Sequence, residues 1–173
     1  MAPIDRAPAG RAPTPRTLIL LRHAKSAWPL DTPDIQRPLA RRGRRDAPAV
    51  GQWLRRAAPP IDLVVCSPAV RARQTWDLAT AQLDTEPQVR HEERLYGTSA
   101  EVFMQVIEEL PDEVSTALLV AHNPSLEDLL DLLTGVCDVL KTSAIAVLTA
   151  TSPWATARSA SWSLETLATP RGG

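Results

Sequence analysis

The chain has 173 residues, a formal net charge of −1, 44% hydrophobic residues and 23% charged ones. That length suits one soluble globular domain with a core large enough to need no covalent staples. The near-neutral balance excludes a global basic field for nucleic acid, and no window approaches the about 18 apolar residues of a membrane span.

Residues 1–16, MAPIDRAPAGRAPTPR, are rich in Pro and Ala and carry Arg6, Arg11 and Arg16 without an apolar segment. They read as a disordered arm and not as a secretory signal. Residues 17–21 form an apolar run that predicts a strand. Residues 40–57 carry Ala47, Val50, Trp53 and Leu54 at helical spacing, although Gly43 and Pro48 oppose a helix there. A strand follows over 61–66, then a helix over 68–82 with Ser67 as its cap and Pro68 in its first position. Gln88 to His91 is a weaker strand. Thr98-x-x-Glu101 predicts a capping box for a helix over 99–110 that Pro111 stops. A strand over 115–121 leads into Asn123-Pro124, a cap and first turn for a helix over 124–134. The runs TSAIAVLTA, with a strand over 143–149, and SASWSLETLA predict a closing hairpin. The alternation predicts an α/β fold, a three-layer α/β/α sandwich whose mostly parallel sheet has an antiparallel edge. One domain is expected over 17–169, with a tail over 170–173.

Cys66 and Cys137 have neither metal-ligand spacing nor a disulfide framework. Cys66 ends an apolar run and reads as a buried free thiol. With no export signal and no disulfide pattern, the expected location is cytoplasmic.

In open α/β sheets, ligands bind beyond the carboxyl ends of the strands. Three segments deliver polar residues to that edge: LILL-Arg22-His23, LVVC-Ser67-Pro68-Ala69-Val70-Arg71 and ALLVA-His122-Asn123-Pro124. A lone histidine at a strand end is ordinarily structural, and an arginine in a first helical turn ordinarily faces solvent. Three such switches in one chain argue for a shared site. Arg22 and Arg71 offer planar forks for phosphate oxygens. Helix starts near Pro68 and Pro124 would turn N–H groups toward the same crevice. A neutral imidazole there can attack phosphorus, and a second one can stabilise the equatorial oxygens. The arginines supply the positive charge, so no metal or other cofactor is expected.

The segments LLRHAKSAW, SPAVRARQT and LLVAHNPSLEDL resemble the three signature segments of the histidine phosphatase superfamily, which has the phosphoglycerate mutase-like fold. The Arg-His-Ala-Lys-Ser form, with RPLARRGRRDAPAVGQWL and ERLYGTSAEVF, resembles the SixA-type phosphohistidine phosphatase branch over most of residues 17–149. The resemblance implies that His23 is the nucleophile that becomes phosphorylated, that Arg22 and Arg71 clamp phosphate, and that His122 is the second pocket histidine. It implies an acidic proton donor ahead of the Tyr-Gly pair, with Glu93 the first candidate and Glu92 the second. A solvated strand-end carboxylate fits Glu93 as well. His91 reads as a bystander. Arg37 and Ser26 are candidate phosphate contacts. Lys25 would add positive potential at the entrance or face solvent.

The expected activity is a metal-independent phosphatase working through a phosphohistidine intermediate, with a phosphorylated protein as the favoured substrate. A small phosphorylated metabolite is the alternative substrate. A phosphomutase, or a non-catalytic phosphate-binding module, are the alternative classes. Neither nucleic acid nor membrane is an expected partner, and the sequence does not fix an oligomeric state.

Overall fold

A computed structural model describes residues 14–173, so the arm expected at the N-terminus lies outside the described residues as far as position 13. Arg16, read as the last residue of that arm, is instead the first residue of β1 (Arg16–Arg22). Its buried guanidinium donates to the Val114 carbonyl at 2.6 Å. The remaining elements are α1 (Arg41–Ala57), β2 (Leu63–Cys66), α2 (Val70–Thr80), β3 (Gln88–His91), α3 (Ala100–Glu108), β4 (Thr116–Ala121), α4 (Ser125–Thr134), β5 (Ile145–Ala150) and β6 (Ser163–Ala168). The expected order of strands and helices holds throughout, with ends shifted by at most two residues except at β6, which begins at Ser163, four residues into the SASWSLETLA run.

The six strands lie in the order β3-β2-β4-β1-β5-β6. β3, β2, β4 and β1 pair in parallel, whereas β5 is antiparallel to both β1 and β6. The parallel strands are continuous apolar runs because both faces of the sheet are covered. Alternation along β1 divides the core. Leu18 and Leu20 pack with Phe103, Leu126 and Trp154, while Ile19 and Leu21 pack with Val50, Leu54 and Trp76. Helices α3 and α4 therefore cover one face and α1 and α2 the other, which makes the three layers.

Helix α1 runs unbroken past Gly43 and Pro48, against the propensity that opposed it. Tertiary packing explains the glycine: a Cβ at Gly43 would collide with the Lys25 carbonyl, so this residue lets α1 close on the loop after β1. The three expected caps are also different from the sequence reading. α2 begins after Ala69, α3 after Ser99 and α4 after Pro124, none with a side-chain cap. Ser67, Thr98 and Asn123 hold tertiary or loop partners instead. At the C-terminal end, residues expected as a tail lie against α1: Gly172 N–H donates to the buried Asp46 carboxylate at 3.1 Å, and Arg171 to the Thr142 carbonyl at 2.7 Å.

Candidate active site

The register of the sheet brings the three polar switches together. Arg22 pairs with Ala121 and Cys66 with Val120, so His23, Ser67 and His122 emerge at one end of three adjacent strands. The backbone of His23 continues the pairing by donating to the Ala121 carbonyl at 3.1 Å. The two imidazoles face each other with ring centroids 5.0 Å apart.

His23 is buried, and its Nδ1 lies 2.7 Å from the Ala24 carbonyl. A carbonyl only accepts, so Nδ1 carries the proton and Nε2 keeps its lone pair. Burial pushes the His23 pKa down to about 3, helped by His122, Arg71 and Arg22 and opposed by the Ala24 carbonyl. The ring is therefore neutral near pH 7. Ala24 is itself fixed. Its N–H donates to the Thr75 hydroxyl at 2.9 Å, and that hydroxyl donates to the Arg71 carbonyl at 2.7 Å. One threonine in α2 thus ties the residue that orients His23 to the residue that carries the second guanidinium.

His122 is held at Nε2, 2.7 Å from the Ser67 hydroxyl, which also accepts from Ala69 N–H at 3.3 Å. Burial pushes its pKa down to about 4, with Arg71 adding to the effect. Its Nδ1 is buried without a protein partner among the described residues. Tyr96 meets the His122 ring edge-on at 5.7 Å.

The two arginines are anchored differently. Arg22 donates from Nη1 to the Leu140 carbonyl at 2.7 Å and keeps a buried Nε without a protein partner among the described residues. Asn123 donates to that same carbonyl at 2.9 Å, and Glu127 receives Asn123 at 2.6 Å and Leu140 N–H at 2.8 Å. Arg71 donates from Nη1 to the Asp34 carbonyl at 2.7 Å and from Nη2 to its carboxylate at 3.0 Å. The same carboxylate accepts Arg37 and the Tyr96 hydroxyl, each at 2.7 Å. These donors, Arg37 first, hold the Asp34 carboxyl well below the usual carboxylate range. Asp34 is a fixed anion that aims a phosphate-sized fork, not a proton donor.

The site pairs a neutral imidazole with two guanidinium groups and a second imidazole, a set suited to a phosphoryl group. Among the described residues, no three His, Cys, Asp or Glu side chains cluster as a metal site.

The model of the histidine phosphatase superfamily, branch 1, matches residues 18–144. The chain belongs to this superfamily. This histidine phosphatase is 40% identical over 146 residues to an uncharacterized protein of Mycobacterium tuberculosis, covering 78% of this chain and 90% of that one. A structure assigned as the phosphohistidine phosphatase SixA of Nakamurella multipartitia is 31% identical, with a TM-score of 0.82 over 92% of this chain and 99% of that one. A second SixA assignment, from Agrobacterium tumefaciens, is 26% identical with a TM-score of 0.78, covering 90% and 99%. These likenesses make the chain a phosphatase of the SixA type with the phosphoglycerate mutase-like fold.

Arg22, His23, Arg71 and His122, expected to converge, do converge on one pocket of this phosphatase. Ser26 and Arg37 lie beside it but are engaged with each other: Arg37 donates to the Ser26 hydroxyl at 2.6 Å and to the Ala27 carbonyl at 3.0 Å. Glu92 is committed to Arg94, whose Nε donates to its carboxylate at 2.9 Å and holds that carboxyl below the usual range. Glu93 is exposed and has no side-chain partner among the described residues. Lys25 is exposed. Sequence reasoning missed Asp34, Ser67 as a histidine partner, Thr75 and Tyr96. The Tyr-Gly pair was the nearest available signal for Tyr96. A lone threonine and a loop aspartate carry none.

Proposed function

We propose that this phosphatase removes phosphoryl groups from histidine side chains of proteins in two steps. The Nε2 lone pair of His23 attacks phosphorus as the phosphorus–nitrogen bond to the substrate imidazole breaks, and the substrate ring, already protonated on its other nitrogen, leaves as neutral imidazole. Water then attacks phospho-His23, releasing inorganic phosphate and restoring the neutral ring. Arg22 and Arg71 bind the equatorial oxygens, and His122 lies beside them to stabilise charge as it builds. The positive charge comes from these side chains, so the cycle is expected to run without a metal. Glu93 remains the candidate proton donor, and a phosphohistidine needs such a donor least. Its leaving imidazole has a conjugate-acid pKa of about 6.5, far below that of an alcohol.

The observation that carries this reading is the His23 Nδ1–Ala24 carbonyl contact of 2.7 Å, which leaves Nε2 unprotonated beside both guanidinium groups. No helix among the described residues is long and apolar enough to cross a membrane. We place the reaction in the cytoplasm, on phosphorylated proteins.

The test is phosphate release from a phosphohistidine protein and from a small phosphomonoester, both with EDTA, and with His23→Ala as the blank. Preferential release from the protein, lost in the variant, is expected. Release from the ester alone would move the substrate to metabolites. Release from neither would favour a phosphate-binding module.

A further inference from the structure

The loop between β1 and α1 holds two large apolar side chains that the pocket does not use. Trp28 is 74% exposed and Leu30 is 93% exposed, the two most exposed large hydrophobic residues among those described. The loop that presents them is not loose. Ala27 N–H donates to the Pro38 carbonyl at 2.8 Å, Ser26 and Leu39 form an antiparallel bridge, and Arg37 returns to the Ala27 carbonyl at 3.0 Å. The Trp28 ring stacks on the Arg37 guanidinium at 3.2 Å. Arg37 in turn holds Asp34, and Asp34 holds Arg71. The apolar tip is therefore fixed in position relative to the phosphate clamp.

Keeping a tryptophan and a leucine in water forfeits the free energy of burying them. A small phosphorylated molecule seated between Arg22 and Arg71 would leave Leu30 in solvent. A folded protein offering a phosphorylated side chain to the pocket would cover both residues, and tryptophan is among the residue types that dominate protein interfaces. Asp31, with a φ of 55°, turns the chain between Leu30 and Thr32, and the Thr32 hydroxyl closes back on the Leu30 carbonyl at 3.3 Å.

We propose that Trp28 and Leu30 form the docking surface for the protein substrate, which would carry an apolar patch beside its phosphorylated histidine. This proposal rests on the phosphohistidine reading above. The loop selects macromolecular substrates by binding them outside the pocket, and the reacting atoms are untouched by it.

The experiment compares two substrates in steady state: a small protein phosphorylated on one histidine by phosphoramidate, and free N-phosphohistidine. Leu30→Asp is expected to raise KM for the protein about tenfold with kcat unchanged, and to leave kcat/KM for free phosphohistidine within about twofold. Trp28→Ala is expected to move the protein KM in the same direction. Equal losses on both substrates would mean that the loop acts through Arg37 and Asp34, and would overturn the docking surface. No loss on either substrate would overturn it too, including the case where Leu30→Asp only abolishes self-association seen by sedimentation. If the native chain hydrolyses free phosphohistidine and not the protein, docking fails while the pocket chemistry stands. If it hydrolyses neither, the phosphohistidine reading fails first and the docking surface falls with it.

Discussion

Two strand ends in this protein deliver a histidine followed directly by polar residues, and only one of them meets a second histidine and two arginines. At the end of β4, His122 meets His23 and Ser67. At the end of β3, His91 is exposed and is followed by Glu92, Glu93 and Arg94. There the charges satisfy one another: Arg94 is held by Glu92 and by Glu109, the latter at 2.7 Å. His91 lines a groove of about 510 Å³ with Arg73, Asp77 and Trp76. The difference is place in the sheet. β4 lies between β1 and β2, whereas β3 is an edge strand. Three strand spacings separate β3 from β1, about 14 Å, beyond the reach of groups that must share one phosphoryl group. β2 ends beside His91 as well, at Cys66, but β3 has no strand on its other side, so a strand-end histidine joins this site only where strands on both sides bring their ends to it.

The sharpest way to break this comparison is to disturb an anchor on each side. Asp34→Ala removes the carboxylate that holds Arg71 Nη2 and leaves only the backbone carbonyl on Nη1, and is expected to lower kcat/KM for phosphohistidine about tenfold, the scale of one charged hydrogen bond. Asp34→Asn should recover part of that loss. His91→Ala should stay within about twofold by the same assay, and equal effects at Asp34 and His91 would end the distinction between the two strand ends.

Acid titration gives a second measure. Burial pushes the folded pKa values of His23 and His122 down to about 3 and about 4, below the ordinary imidazole value of about 6.5. Between those values and 6.5 the unfolded chain binds more protons, so stability rises with pH there. It is fully present above about 6.5 and is lost as pH falls through the folded midpoints. Imidazole proton resonances of these two residues should titrate near pH 3 and 4. Midpoints near 6.5 would show rings open to water.

The smallest expected effect is at the candidate acid. Glu93→Gln should leave kcat for phosphohistidine within about twofold, because the leaving imidazole needs the least protonation. A tenfold fall would give Glu93 a proton-transfer role that its exposed position does not suggest.

Much of the fold was legible because each strand of the parallel core is an apolar run that ends abruptly. LILL before Arg22-His23 and ALLVA before His122 mark both the strands and their carboxyl ends, and the general rule for open α/β sheets places ligands there. The helix caps were read less well. Ser67, Thr98 and Asn123 are the right residue types in the right places, yet each side chain found a partner outside the helix it was expected to cap. Local preference of that kind is worth about 1 kcal/mol, and a buried tertiary hydrogen bond competes with it on equal terms.

The sequence by itself determined the strand order along the chain, the four residues Arg22, His23, Arg71 and His122, and the chemistry those types can perform. All of these are written in local pattern: apolar runs, sharp polarity switches and the positions of helix starts. Only the tertiary structure decided which nitrogen of His23 is free, what holds His122, and what aims Arg71. Those answers depend on the Ala24 carbonyl, the Ser67 hydroxyl and the Asp34 carboxylate. Their directions are set by strand register and loop closure between residues up to 55 positions apart. A hydrogen bond of that kind requires a particular distance and angle, and no residue type, taken in sequence, specifies either.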